Sequence, residues 1–131
     1  MEKIEDIIKS MTFEFFGNGK HKIKASGHLS KDNALFLDVR SKEEIDTLSF
    51  GLTHHMPVLN IPINEIPNRL KEIPKDKSIG VFCSSVVRAA IVYTYLKTKG
   101  YEDVLILEGG YNNIIDEFKP GKLLKHIKTK K

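Results

Sequence analysis

The stretch VFCSSVVRAA, residues Val81 to Ala90, holds the single cysteine of the chain, Cys83, and Arg88 five positions later. Ser84, Ser85, Val86 and Val87 lie between them. The chemistry this spacing suggests is nucleophilic attack by a thiolate. Cys83 follows an apolar run that reads as a strand and precedes a helical pattern. Successive amides at a strand-to-helix turn can converge on an anion. The start of the following helix adds partial positive charge. Both favour the thiolate, which is the nucleophile. Arg88 contributes a fixed charge on the first helical turn. It is the only cation between Gly80 and Lys97 and is flanked by apolar residues. Such an arginine calls for an anionic partner. The candidates are the thiolate, a covalent adduct on it, or an anionic substrate. The competing readings are a buried cysteine acting as a small hydrophobe and an arginine serving as a surface charge. Placement at the end of a strand favours the reactive reading.

Alternating strands and helices must position this loop. ALFLDV is a short apolar run without polar alternation, the pattern of a strand buried on both faces. SKEE follows, with Ser41 as N-cap and Glu44 three residues on, a capping box. Ile45 and Leu48 are expected to face inward on that helix. A second strand is expected over Val58–Asn60. A helix carrying Ile66, Leu70 and Ile73 comes next, with Pro67 tolerated in its first turn. SIGVFC is the third strand. Ala89, Val92, Tyr93 and Leu96 recur at i, i+3, i+4 and i+7, and Gly100 closes that helix. DVLIL is the fourth strand. Tyr111, Ile114, Ile115 and Phe118 form another helical stripe, and Leu123, Leu124 and Ile127 a last one. Upstream, Ile4, Ile7, Ile8 and Met11 mark a helix, TFEFF reads as a short strand, and HKIKA as a further strand. SGHLSKDN reads as a short helix or loop.

This order predicts a three-layer α/β/α fold around a mainly parallel sheet of four to five strands. Residues 1–20 read as an N-terminal extension. Residues 21–131 read as a single domain ending in a basic helix and tail. Sites in such folds lie at the carboxyl ends of the strands. Cys83 and Asp38 both end strands.

Composition narrows the class. The chain has 131 residues, 40% hydrophobic and 29% charged, with a net charge of +4, as expected of one globular domain. No run of about 18 apolar residues exists, so no membrane span is expected. The N-terminus lacks the basic-then-apolar layout of a signal peptide. One cysteine permits no internal disulfide and no zinc site of its own. A cytoplasmic location is therefore expected. Six lysines and no acid occupy residues 119–131. No aromatic residue interleaves them, which argues against nucleic acid as a partner. His54 and His55 read as a polar loop pair, not a metal site.

Taken together, four segments resemble the single-domain rhodanese, or sulfurtransferase, family. They are LFLDVRSKEEI, HHMPVLNIP with His54 at the family's histidine, VFCSSVVRAA at the active-site loop, and VLILEGGYNNI. The resemblance implies a rhodanese-like fold and a persulfide formed on Cys83. The sulfur would come from thiosulfate, polysulfide or a protein persulfide, and would pass to cyanide or a thiol. It implies Cys83 and Arg88 as catalytic residues and Ser84, Ser85, Val86, Val87 and Arg88 as the substrate loop. No metal or organic cofactor is implied. The related phosphatases carry five residues between cysteine and arginine. Here there are four, which ranks phosphatase or arsenate reductase chemistry below sulfur transfer.

Two positions depart from the family pattern. Val86 stands where the family often has glycine, and a positive φ there would strain it. Ser84 stands where many members carry a cation. One cation fewer points to polysulfide or a protein persulfide over thiosulfate. The Val86 departure leaves a catalytically weak sulfur carrier or interaction module as the alternative. Asp38 and Arg40 are expected to support the site, Asp38 by accepting backbone hydrogen bonds or merely as a helix-start carboxylate. Gly109 and Gly110 either allow close approach to the loop or only form a turn. Either a monomer or a homodimer fits the sequence.

Overall fold

A computed structural model describes residues 3–52 and 56–129. His54 and His55 lie outside the described residues. Five parallel strands form one sheet: β1 (Lys22–Ile23), β2 (Ala34–Asp38), β3 (Val58–Asn60), β4 (Ser78–Phe82) and β5 (Val104–Leu107). Their spatial order is β1-β5-β4-β2-β3. The helices are α1 (Ile4–Ser10), α2 (Phe13–Gly17), α3 (Ala25–Leu29), α4 (Lys42–Thr47), α5 (Val87–Thr98), α6 (Gly110–Asp116) and α7 (Pro120–Thr129).

Both central strands are buried along their whole length. Their side chains alternate between two cores, one on each face of the sheet. Leu35, Leu37, Ile79, Val81 and Cys83 join Ala89, Val92, Tyr93 and Leu96 of α5. Ala34, Phe36 and Phe82 join Ala25 and Leu29 of α3 and Ile114 of α6. This is the expected three-layer arrangement. Gly80 fits the second face because a Cβ there would sit 2.6 Å from the ring of His28, which bonds the Leu35 carbonyl instead.

β2 and β4 lie side by side, paired from Ala34↔Ser78 to Asp38↔Phe82. From β2 the chain runs outward to the β3 edge, then returns across to β4. The loops leaving β2 and β4 therefore diverge at the carboxyl edge, where such folds place their sites.

Several local expectations are corrected. TFEFF is the helix α2, not a strand: the Thr12 hydroxyl accepts the Phe15 amide at 3.1 Å and caps it. The segment with Ile66, Leu70 and Ile73 is two 3-10 turns, Ile63–Glu65 and Pro67–Glu72, with a kink at Arg69. The apolar spacing was sound, since Ile66 and Ile73 are buried. However, Pro67 supplies no amide to bond across the junction. Leu48 is exposed, because it is the extended residue that ends α4. Ile4, Ile8, Ile115, Leu124 and Ile127 are exposed as well. On α1 only Ile7 is buried; on α7 the inward residue is His126, bonded to Glu117. Among the described residues no helix is long and apolar enough to cross a membrane.

Candidate active site

Cys83 directly follows β4, and the Phe82 carbonyl accepts the Val39 amide at 3.0 Å, tying the ends of β4 and β2 together. The thiol points toward the core beneath α5 and is 2% exposed. Its Sγ accepts the Ala89 amide at 3.3 Å. The first turn of α5 thus aims one backbone donor at the sulfur, while the sulfur itself packs in the core, as the competing small-hydrophobe reading expected.

The loop between them turns sharply. The Val87 amide donates to the Ser85 carbonyl at 2.7 Å, an i to i+2 bond with Val86 as its central residue. Val86 has φ 71 and ψ −32, the one positive φ among described non-glycine residues. This is a γ-turn in its rare, strained form. For a β-branched residue the conformation costs about 1–3 kcal/mol. The Val86 carbonyl then accepts the Ala90 amide at 2.8 Å and starts α5. The amides of Ser84, Ser85, Val86 and Arg88 donate to no acceptor among the described residues. Of the loop amides, those of Val87 and Ala89 are engaged, the latter by the sulfur itself.

Arg88 has an anionic partner that the sequence reading did not name. Its Nη1 donates to Glu44 Oε1 at 2.6 Å and its Nη2 to Glu44 Oε2 at 2.9 Å. Nη2 also donates to Ser84 Oγ at 2.9 Å. Glu44 is the capping-box acid of α4, and its Oε1 accepts the Ser41 amide and hydroxyl at 3.0 and 2.9 Å. The Arg88 hydrogen bonds, helped by Ser41, hold the Glu44 carboxyl down at about 2. The same contact raises the basicity of Arg88, with a smaller contribution from the neighbouring Cys83. A signal for Glu44 existed: the acid of a capping box after β2 stands at the same sheet edge as a loop arginine after β4.

Asp38 and Arg40 form a buried pair, 2% and 0% exposed. Asp38 accepts the Arg40 amide at 3.2 Å and its guanidinium at 2.7–3.1 Å. Arg40 Nη1 reaches Tyr111 Oη at 3.0 Å, and the guanidinium lies 5.2–5.4 Å from the rings of Phe50, Phe82 and Tyr111. Asp38 does accept a backbone amide, but that amide belongs to Arg40 and not to the Cys83 loop. The pair anchors the end of β2 to the start of α6.

Gly109 and Gly110 have φ 89 and 62. A Cβ on Gly110 would lie 2.7 Å from the Ser84 carbonyl oxygen, so this glycine gives the loop its space. Gly109 faces Asn113 instead and serves the turn. The two readings of this pair therefore divide between its members.

Fold and loop together define an α/β domain with a cysteine-bearing loop at the carboxyl edge of its parallel sheet. The family model for the rhodanese-like domain matches residues 23–117, and the chain belongs to that family. A sulfurtransferase from Allochromatium vinosum is 35% identical over 79 residues, which are 60% of this chain and 69% of that protein. A tRNA uridine(34) hydroxylase from Onion yellows phytoplasma is 35% identical over 88 residues, 63% of this chain but 27% of that larger protein. Among solved structures, a rhodanese-related protein from Thermoplasma volcanium superposes with a TM-score of 0.62 at 27% identity, covering 76% of this chain and 95% of that one.

Proposed function

We propose that the protein is a sulfurtransferase that carries sulfane sulfur on Cys83. The family and its sulfurtransferase-named relative support the reaction class. The observation that carries the assignment to this loop is the Ala89 amide donating to the Cys83 sulfur beside amides that have no acceptor among the described residues. In the first half-reaction the Cys83 thiolate attacks the outer sulfur of a donor such as thiosulfate, polysulfide or a protein persulfide. A new S–S bond forms, the donor's S–S bond breaks, and sulfite or a thiolate leaves with the electron pair. In the second, cyanide or a thiol attacks the outer sulfur and the Cys83 thiolate leaves. The loop amides stabilise the charged outer sulfur in the manner of an oxyanion hole. Two half-reactions through one covalent intermediate give ping-pong kinetics.

Cys83 is 2% exposed, so this reading requires residues 84–87 to shift before a donor reaches the sulfur. The same burial, with strained Val86, favours a second reading, a catalytically weak carrier or interaction module. Intact-mass measurement after polysulfide treatment separates the two. The expected result is a gain of one sulfur atom that cyanide removes and that Cys83→Ser lacks. No adduct with any donor supports an interaction module, and an adduct that forms or discharges only slowly supports a weak carrier. Turnover of an aryl phosphate, disfavoured by the four-residue spacing, would point to phosphatase chemistry instead.

A further inference from the structure

We infer that Glu44 makes this loop discriminate against doubly charged sulfur donors, so that the donor carries a single negative charge at its reacting end. The inference rests on the sulfur-transfer reading and adds a specificity-determining residue to it. Arg88 is the loop's one cation, and both of its terminal nitrogens are already held by the Glu44 carboxylate. Ser84, at the position next to the thiol, adds a neutral hydroxyl to the same cluster. The Arg88 side chain is 28% exposed and that of Glu44 30%, so the pair sits at the rim of the loop, open to an incoming donor. Ser41 also fixes the carboxylate through two hydrogen bonds to Oε1. Its acidity keeps it ionised at any pH where a thiolate reacts.

A guanidinium whose charge is met by a carboxylate offers little net attraction to an anion. Thiosulfate brings two charges and must expel sulfite as a dianion. An alkanethiosulfonate presents the same outer sulfur with one charge fewer. The Cys83 thiolate attacks that sulfur, the S–S bond breaks, and a singly charged sulfinate leaves with the electron pair. Comparing these two donors reads charge discrimination at constant chemistry.

The test measures kcat/KM with cyanide as acceptor for thiosulfate and for methanethiosulfonate, on the full chain. Wild type is expected to prefer methanethiosulfonate. Glu44→Gln keeps the side-chain acceptor of the capping box but frees the charge of Arg88. It is expected to raise the thiosulfate-to-thiosulfonate ratio about tenfold, equal to about 1.4 kcal/mol. Glu44→Asp retains the charge and is expected to keep the wild-type side of that ratio. A ratio is insensitive to partial unfolding, which lowers both rates alike. If Glu44→Gln leaves the ratio unchanged while both donors still load Cys83, the Glu44 inference is overturned and sulfur transfer stands. If polysulfide loads wild-type Cys83 but neither of these two donors does, the Glu44 inference is overturned and sulfur transfer stands; if polysulfide fails as well, both are overturned.

Discussion

Val86 concentrates the conflict between local preference and function at one residue. A valine at φ 71 is held there by the γ-turn to Val87 and by the start of α5. The residue is 38% exposed, so packing offsets little of the strain. Val86→Gly is therefore expected to stabilise the fold by about 1 kcal/mol, after allowing for the greater backbone entropy of glycine in the unfolded chain. For a chain of this size that raises Tm by roughly 3–5 °C. A melting curve checks it, and an unchanged or lowered Tm would mean that the turn is unstrained. The thiol and the arginine were legible from their spacing and position. The role of Glu44 was harder to read, because a capping box already accounts for an acid at that position and the link from residue 44 to residue 88 shows only once β2 and β4 are placed side by side.

At the scale of elements, the site is a meeting of three strand-to-helix junctions. The capping box of α4 reaches the first turn of α5 through Glu44 and Arg88. This couples stability to acid. The Glu44 carboxyl is held at about 2 against 4.5 unperturbed, lower in the folded state. Its contribution is thus full above about pH 4.5 and is lost as pH falls toward 2. Urea midpoints measured across that window are expected to fall further for wild type than for Glu44→Gln, where the titrating group is gone. The junction after β5 meets the loop from the other side. Gly110→Ala would place a methyl 2.7 Å from the Ser84 carbonyl, against backbone that cannot swing aside as a side chain would. The expected cost is about 1–3 kcal/mol of stability, with sulfur loading slowed beyond what the stability loss explains. Equal loading rates at a temperature where both proteins are folded would show that the loop does not depend on that space. The glycines announced a turn in the sequence. Which of them touches the loop depends on the placement of β5 beside β4, and sequence order does not give that.

At the scale of the molecule, buried runs and helical periodicity conveyed a covered parallel sheet, because a strand enclosed on both faces has no polar alternation to hide. The β1-β5-β4-β2-β3 order was not legible, since it is set by which helices cover which face. The apolar stripes of α1, α6 and α7 gave the helices but not how deeply each is seated, and several of their apolar residues are exposed. Under the proposed sulfur transfer, the whole chain also bears on how cargo leaves. Cys83 is its only cysteine, so no second thiol of the chain can attack a persulfide on it and close an internal disulfide. Burial beneath α5 and the Ala89 amide further shelter the inner sulfur. A loaded protein, freed of donor, is therefore expected to keep its extra sulfur on standing and to lose it only when cyanide or a thiol is added. Intact mass followed over hours, with and without acceptor, reads this directly. Double-reciprocal plots at several fixed acceptor concentrations should give parallel lines, the mark of a carrier discharged from outside. Spontaneous loss of the sulfur without acceptor, or intersecting lines, would mean that release does not depend on an outside nucleophile meeting the Cys83 loop.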